Sequence, residues 1–292
     1  MKFTFANIVA YGLVGIIKEN AGLSGAGFMF LLLGGILLTA GAGYLLGSIN
    51  PAIILSKGFF GGDIRNYGSG NAGMTNMFRV FGKKAGLLTL LGDVLKTVVA
   101  TLVGYFIFGN VPFLFQNGFV LFGRLGPYVA GLFCVLGHIF PIYYGFRGGK
   151  GVLVTAVVLL MTDWPVLCML LVVFGIVLAG TGMVSLASVM SALMMPLLLN
   201  IWYKMFNYSA DARVEGGISL TIAVVIAVLV VLKHAENIKR IREGQEPKVR
   251  MPWQKKREGG NKGVSAASLE KSGSGMKKNS RTGGKSLSEK DK

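Results

Sequence analysis

Charged residues are scarce in this chain. Asp, Glu, Lys and Arg make up 15% of its 292 residues, whereas a soluble domain has about a quarter. Only 13 residues are acidic, and they form no cluster with the spacing of metal ligands. The composition therefore excludes an ordinary soluble domain, and we expect neither a metal site nor a metal-dependent reaction.

Cysteine is rare as well. The two cysteines, Cys134 and Cys168, both lie inside apolar segments, and their spacing is not that of metal ligands. A disulfide framework is not indicated by so few cysteines. Both are therefore interpreted as packing residues.

Apolar sequence is abundant instead. Hydrophobic residues make up 52% of the chain, and its mean hydropathy is +0.60. Several runs approach or exceed the ~20 residues that a helix needs to span a bilayer, and they are too continuous for the alternating strands of a membrane barrel. The sequence predicts an all-α polytopic membrane protein with about seven transmembrane helices. The predicted spans are 27–49, 86–108, 126–144, 152–162, 166–182, 185–203 and 217–233.

The two ends of the chain differ from this central part. Residues 1–26 form an N-terminal apolar extension, interpreted as a retained interfacial helix, and the membrane-embedded domain covers 27–249. Residues 250–292 hold 12 Lys or Arg against 4 Asp or Glu, and we expect a disordered, solvated tail. Contact with anionic lipid is an alternative. The tail has no interleaved aromatics to stack on bases, so no specific nucleic acid partner is expected.

Positive charge orients the predicted spans. The loop 57–84 carries five Lys or Arg against one Asp, and the loop 146–150 and the tail are also basic. With seven spans, all three fall on one side, which is then cytoplasmic. The uncharged segment 110–117 and the balanced loop 204–216 fall outside.

The stretch 68–79 is a basic, Gly-rich loop between two apolar segments. Its three glycines free the backbone to turn and bring N–H groups close to a ligand, and Arg79 adds a two-pronged cation suited to phosphate. A glycine-rich turn that caps a helix explains this stretch equally well. The candidate phosphate-binding residues are Gly68, Ser69, Gly70, Asn71, Thr75, Asn76 and Arg79.

Three further polar clusters fall on the same predicted side. The stretch 148–151 opens a helix, whose N-terminal amides attract anions, but it lacks the spacing of a nucleotide P-loop, so ATP is not implied. Another cluster opens the sixth span, and a histidine and an asparagine three apart follow the last one. The candidate residues are Gly148, Gly149, Lys150, Gly151, Ser188, His234 and Asn237.

One charged pair lies inside a predicted span. Asp93 and Lys96 are three residues apart and so share one helical face. Charges inside a membrane are costly and are functional candidates. We favour a mutual ion pair over direct chemistry.

Together these stretches resemble the acyl-phosphate-dependent glycerol-3-phosphate acyltransferases, the PlsY family. The resemblance covers about residues 41–248, and several separate motifs in the right order make it specific. The stretches that carry it are 63–65, 68–79, 82–84, 93–96, 137–151, 185–189 and 234–246.

The resemblance implies transfer of a fatty acyl group from acyl phosphate to the 1-hydroxyl of glycerol 3-phosphate. The products are lysophosphatidic acid and phosphate, in the first step of bacterial phospholipid synthesis. It also implies a bacterial inner-membrane protein with a cytoplasmic active site and tail, no cofactor, and a functional link to the enzyme that makes acyl phosphate. The implied catalytic residues are Ser69, Arg79, His234 and Asn237. The implied substrate-binding residues are Gly68, Gly70, Asn71, Thr75, Asn76, Gly148, Gly149, Lys150, Gly151 and Ser188.

A secondary transporter for an organic phosphate is the competing interpretation. It would share the apolar spans and the anion sites at helix ends, although no internal repeat is evident in this sequence. For an enzyme, we expect direct transfer with a substrate phosphate helping to take the hydroxyl proton, because no nucleophile–base arrangement is evident. We expect His234 to orient glycerol 3-phosphate.

Overall fold

The computed structural model describes residues 5–109, 124–206 and 210–249, and within these ranges it contains helices and no strand. The predicted tail 250–292 and the predicted outer segment 110–117 lie outside the described residues. The helices are α1 (Phe5–Ala21), α2 (Gly25–Ser48), α3 (Pro51–Phe60), α4 (Met74–Phe108), α5 (Leu125–Ile139), α6 (Val152–Thr162), α7 (Trp164–Thr181), α8 (Val184–Phe206), α9 (Ala210–Lys233) and α10 (Ala235–Arg242).

The all-α polytopic membrane fold is confirmed. In the described part of the chain, six helical segments are long and apolar enough to cross a membrane. The segment predicted as 152–162 forms α6, which has 11 residues and so measures about 16 Å, roughly half of a bilayer core. The seventh span therefore stays a prediction. Helix α9 begins seven residues before the predicted span 217–233, so it takes in part of the predicted loop 204–216.

Helix α1 packs against the membrane helices. Val14 and Ile16 are buried, and Val14 belongs to an apolar cluster with Ile107 and Phe108 at the end of α4. Gly12 lies so close to the backbone of Gly109 and Phe108 that a side chain there would clash. The N-terminal extension is thus attached to the bundle by its apolar side, and its interfacial position stays a prediction.

Small residues bring α2 and α5 into close contact. A Cβ atom on Gly137 would lie 2.7 Å from the backbone nitrogen of Ser48, and one on Gly47 would lie 2.7 Å from the Cα of Cys134. Membrane helices use such positions to approach each other, because lipid offers no hydrophobic driving force for their association. The contact fixes the ends of α2 and α5, of which α2 leads directly into α3 and α5 leads into the loop before α6.

A buried polar cluster lies at the other end of these helices, where α6 meets α7. The carboxylate of Asp163 is 2.7 Å from Arg124 Nη1 and accepts a hydrogen bond from the Tyr128 hydroxyl. Arg124 also donates to the Tyr203 hydroxyl at 2.5 Å. The Asp163 side chain is 1% exposed, so these partners compensate a charge that would otherwise be costly to bury. The cluster supports the early end of the short helix α6.

Candidate active site

A cavity of about 600 Å³ opens among the loops 61–73, 140–151 and 182–183 and the α9–α10 junction. These four connections are distant in sequence, and the alternating direction of the helices brings them together. All but three of the predicted site residues line the cavity. Those that line it are Gly68, Ser69, Asn71, Thr75, Asn76, Arg79, Lys150, Gly151, Ser188, His234 and Asn237. Those that do not are Gly70, Gly148 and Gly149.

The Asn76 side chain organises the first loop. Its Nδ2 donates to the carbonyls of Tyr67 at 2.9 Å, Asn71 at 3.1 Å and Ile64 at 3.4 Å, and its Oδ1 accepts from the Ser69 backbone nitrogen at 2.9 Å. Asn76 is 1% exposed. Its amide is therefore used within the protein, and it shapes the loop around the cavity.

Three other predicted side chains have a different environment. Ser69 lies in the loop, but Thr75 and Arg79 lie in α4, because that helix begins at Met74, inside the stretch 68–79 that was predicted as a loop. Ser69, Thr75 and Arg79 are exposed and line the cavity. Within the described part of the chain, none of these three side chains makes a hydrogen bond or ion pair. A guanidinium and two hydroxyls are thus available to a ligand, and a phosphate group matches such donors.

The second loop passes directly over a histidine. Gly149 donates its backbone N–H to the His138 carbonyl at 3.0 Å, and Gly148 donates to the Ile139 carbonyl at 3.2 Å. A Cβ atom on Gly149 would clash with the His138 ring and would lie 2.9 Å from the Ala72 carbonyl oxygen. Glycine is needed here for close approach, so Gly148 and Gly149 shape the loop from behind the cavity. Helix α6 begins at the next residue after Gly151, as predicted.

Asp93, Lys96 and His138 form a buried polar cluster behind both loops. Lys96 Nζ lies 2.8 Å from Asp93 Oδ1 and 3.0 Å from His138 Nδ1, which confirms the predicted ion pair. Lys96 also donates to the carbonyls of Gly47 and Ile49 at the end of α2. Asp93 and His138 line the cavity. The sequence predicted the pair from its spacing, but a lone histidine 42 residues away gave no signal beyond its motif.

A chain of side chains joins the second loop to the α9–α10 region. Lys150 Nζ donates to Asn237 Oδ1, and Asn237 Nδ2 donates to Glu246 Oε1 at 2.6 Å. Arg240 Nε donates to the other Glu246 oxygen at 2.8 Å. Burial raises the pKa of Glu246, but its polar neighbours Ser185, Asn237 and Arg240 outweigh this effect, and the net shift is downward. Glu246 is therefore an ionised member of the cavity wall that sequence analysis noted only as part of a motif.

His234 and Ser188 complete the polar wall. His234 lies at the start of α10, outside α9, so it and Asn237 are not on one continuous helix, although both face the cavity. Its Nδ1 lies 2.7 Å from the Val230 carbonyl. Because a carbonyl only accepts, Nδ1 carries the proton and Nε2 is an acceptor. Burial lowers the pKa of His234, which favours the neutral ring. The Ser188 hydroxyl donates to the Val184 carbonyl at 2.9 Å.

The rest of the cavity is apolar. Its walls come from α6, α7, α8 and the end of α9. The apolar lining includes Leu153, Leu159, Leu170, Phe174, Met195 and Val230. One cavity thus joins a cationic, hydrogen-bonding end to an apolar part, and its volume as a whole is that of a site for a small molecule.

This combination is typical of one class of protein: multi-pass membrane proteins that act on amphiphilic, phosphate-bearing molecules. The comparisons with known proteins narrow the class. The family profile described as glycerol-3-phosphate acyltransferase matches residues 37–244. The chain belongs to this family and is an integral membrane acyltransferase.

Individual relatives agree with the family. A glycerol-3-phosphate acyltransferase of Exiguobacterium sibiricum is 39% identical over 209 residues, which cover 72% of this chain and 91% of the relative. That of Enterococcus faecalis is 38% identical over 206 residues, covering 70% and 88%.

A solved structure has the same fold. The crystal structure of PlsY (YgiH), an integral membrane glycerol 3-phosphate acyltransferase in its glycerol 3-phosphate form, superposes with a TM-score of 0.60 at 31% identity. The match covers 74% of this chain and 96% of that one. Helix α1 and the segment after residue 244 lie outside the family profile.

Proposed function

We propose that this acyltransferase moves a fatty acyl group from acyl phosphate to the 1-hydroxyl of sn-glycerol 3-phosphate, giving lysophosphatidic acid and phosphate. The observation that carries the proposal is the single cavity in which Arg79 and Lys150, from different parts of the chain, face one polar end that continues into an apolar part. Two phosphate-bearing substrates need two cations, and an acyl chain needs an apolar wall. The reaction is the first step of bacterial phospholipid synthesis.

In this proposal, different residues bind the two substrates. Ser69 and Arg79 hold the phosphate of the acyl donor and stabilise the charge that develops on it, while Lys150 binds glycerol 3-phosphate. His234 accepts a hydrogen bond from the glycerol through Nε2 and orients it. The 1-hydroxyl oxygen attacks the acyl carbon, the bond to the phosphate oxygen breaks, and the departing phosphate takes the hydroxyl proton. A phosphate is a good leaving group, so this step needs no metal, cofactor or strong protein base.

We place this end of the protein in the cytoplasm of a bacterial cell, at the inner membrane. The loops around the cavity carry an excess of Lys and Arg, as cytoplasmic loops do. Glycerol 3-phosphate, which is charged, reaches the site from that side, and so does acyl phosphate made by another enzyme. The basic tail 250–292 then lies in the cytoplasm as well.

Purified protein tests the proposal directly. With acyl phosphate and glycerol 3-phosphate in detergent, we expect lysophosphatidic acid without added ATP, metal or thioester donor. The matched control replaces acyl phosphate with acyl-CoA or acyl carrier protein of the same chain length. Equal turnover with either thioester would overturn the donor assignment. A protein that makes no lipid but carries organic phosphate into vesicles would be a transporter.

The pH profile tests the role of Lys150. Burial lowers the pKa of Lys150 to about 8, against an opposing effect of Glu246. As pH rises through that value the amine loses its charge, so kcat/KM for glycerol 3-phosphate should fall. Lys150→Arg should remove this decline, because a guanidinium stays charged. A decline of equal size and midpoint in Lys150→Arg would contradict the assignment.

As pH rises, the contribution of Lys150 to folding stability should change in the direction opposite to kcat/KM. The effect of this residue on binding can therefore be distinguished from its effect on folding. The pKa of Lys150 is lower in the folded protein than its ordinary value of 10.5. The unfolded chain therefore binds more protons between these pH values, and this residue's contribution to stability rises with pH. A loss of kcat/KM over that range therefore cannot be caused by unfolding through this group.

A further inference from the structure

Arg65 links the two Gly-rich loops without lining the cavity. It lies in the short 3₁₀ turn Ile64–Asn66 that follows α3. Its Nη1 donates to the carbonyls of Tyr144 at 2.6 Å and Arg147 at 3.3 Å, on the loop that leads to Lys150. The two carbonyls are 79 and 82 residues away in sequence. This contact therefore ties one loop to the other.

Asp63 holds the guanidinium in that position. Arg65 Nε lies 3.0 Å from Asp63 Oδ1, and Nη2 lies 2.7 Å from Oδ2. The same carboxylate accepts the Arg65 backbone N–H at 3.0 Å, and Lys57 lies 3.3 Å from it. The Arg65 and Asp63 side chains are 18% and 14% exposed. A guanidinium presents its donors in a fixed fork, which the single ammonium of lysine cannot reproduce.

The bonded carbonyls enclose a strained residue. Phe146 has a φ of 59° and is the one non-glycine residue of the described chain in the left-handed region. Its side chain is 54% exposed, so burial of the ring does not account for this conformation. Such strain persists only where surrounding contacts enforce it. Those contacts are the Phe146 N–H bond to the Pro141 carbonyl and the two Arg65 bonds on either side.

The same turn is bonded to the first phosphate-binding loop. Asn76 donates to the carbonyls of Ile64 and Tyr67, which flank Arg65, and accepts from the Ser69 backbone. The turn 64–67 is thus attached to the Ser69 loop through Asn76 and to the Lys150 loop through Arg65.

We propose that Arg65 is a positioning residue: with Asp63 and the strained turn at Phe146, it sets the distance between the loop that carries Lys150 and the loop that carries Ser69. This inference rests on the proposed function, because it assumes that each loop holds one phosphate-bearing substrate. Arg65 itself does not line the cavity, so it acts through the loop. Misplacing a binding group by about 1 Å can cost on the order of 100-fold in rate.

The test compares Arg65→Lys with Arg242→Lys, an exposed arginine on α10. In Arg65→Lys we expect the KM for glycerol 3-phosphate to rise roughly 10- to 100-fold, with the KM for acyl phosphate changed by less than about threefold. Arg242→Lys should leave both values unchanged. Asp63→Asn, which keeps the shape of the side chain, should shift the same KM in the same direction and serves if Arg65→Lys does not fold.

Relief of the strain provides an independent check. Glycine adopts positive φ at no steric cost, so adding Phe146→Gly to Arg65→Lys should recover at least several-fold of the lost affinity. Tyr143→Gly is the matched control, because Tyr143 is exposed, lies in the same loop and does not have a positive φ. A purely structural role of Arg65 would give no such selective rescue.

The results of these experiments distinguish failure of the Arg65 proposal from failure of the proposed function. Wild-type KM values in Arg65→Lys and Asp63→Asn would overturn the proposal, and so would an equal rise in both KM values that Phe146→Gly does not reverse. Protection against thermal unfolding by glycerol 3-phosphate is measured in parallel, since it needs no turnover. A wild-type protein that is protected by this ligand but makes no lipid would refute the proposed function, while the variants would still report on the loop.

Discussion

Replacing Arg79 with lysine is expected to remove most of the turnover while leaving a folded, detergent-stable protein. Arg79 lines the cavity, and its side chain makes no hydrogen bond or ion pair within the described residues. Its loss should therefore leave the fold intact. Lysine keeps the charge but loses the paired hydrogen bonds to phosphate. We expect a fall of roughly 30- to 1000-fold, which corresponds to about 2–4 kcal/mol of transition-state stabilisation, and a larger fall in Arg79→Ala.

The assay is lysophosphatidic acid formation at saturating concentrations of both substrates, with thermal stability followed in parallel. Arg242→Lys and Arg242→Ala serve as controls, since Arg242 lies exposed on α10. Arg124 would be unsuitable as a control, because it pairs with the buried carboxylate of Asp163. Removing one partner of such a pair is strongly destabilising. Near-normal turnover in Arg79→Ala would exclude this residue from the site.

Local signals explain why the fold and the rim of the site could be predicted. Long apolar runs have only one way to satisfy their backbone in a bilayer, which is to form helices. Glycines and basic residues mark the loops, and the family resemblance indicated which of these residues belong to the site. Arg79 and Lys150 were both predicted in this way, and the structure brings them to one cavity although 71 positions separate them.

The division of the polar residues between cavity and support could not be predicted. Asn76 has the same chemistry as Asn71, but its amide is bonded to three carbonyls and a backbone nitrogen of the loop before α4. Gly149 was predicted to bind substrate, and it lies against the His138 ring behind the cavity. Such assignments depend on partners brought close by tertiary folding, and a single sequence carries no signal of them.

The segment after α10 is a second case in which the tertiary contacts could not be predicted from the sequence. In this segment the sequence singled out only Glu246, as the end of a motif, yet Pro247 and Val249 line the cavity beside it. The Val249 backbone N–H donates to the Gly182 carbonyl at 2.8 Å, in the turn between α7 and α8. This segment is therefore a strap across the cavity wall, attached at one end by Glu246 and at the other by Val249.

Two truncations should separate the strap from the tail. A chain ending at Trp253 keeps the strap and should retain nearly full turnover, because the predicted tail has too little apolar surface to build part of a site. A chain ending at Gly244 loses Glu246, so Asn237 loses the acceptor of its Nδ2 and Arg240 its carboxylate. Asn237, which accepts the hydrogen bond from Lys150, is then less constrained, so the position of Lys150 is less well fixed. We expect the turnover to fall by on the order of 100-fold or more.

Lipid formation and thermal stability are measured on both truncations beside Glu246→Gln in the full chain. Glu246→Gln keeps the strap and the oxygen for Asn237, but it removes the charge that Arg240 faces. If both the carboxylate and the rest of the strap contribute to the site, the turnover of Glu246→Gln should lie between the turnovers of the two truncations. Full activity of the chain ending at Gly244 would show that the strap has no part in the site. Loss of activity in a folded chain ending at Trp253 would instead assign a role to the tail.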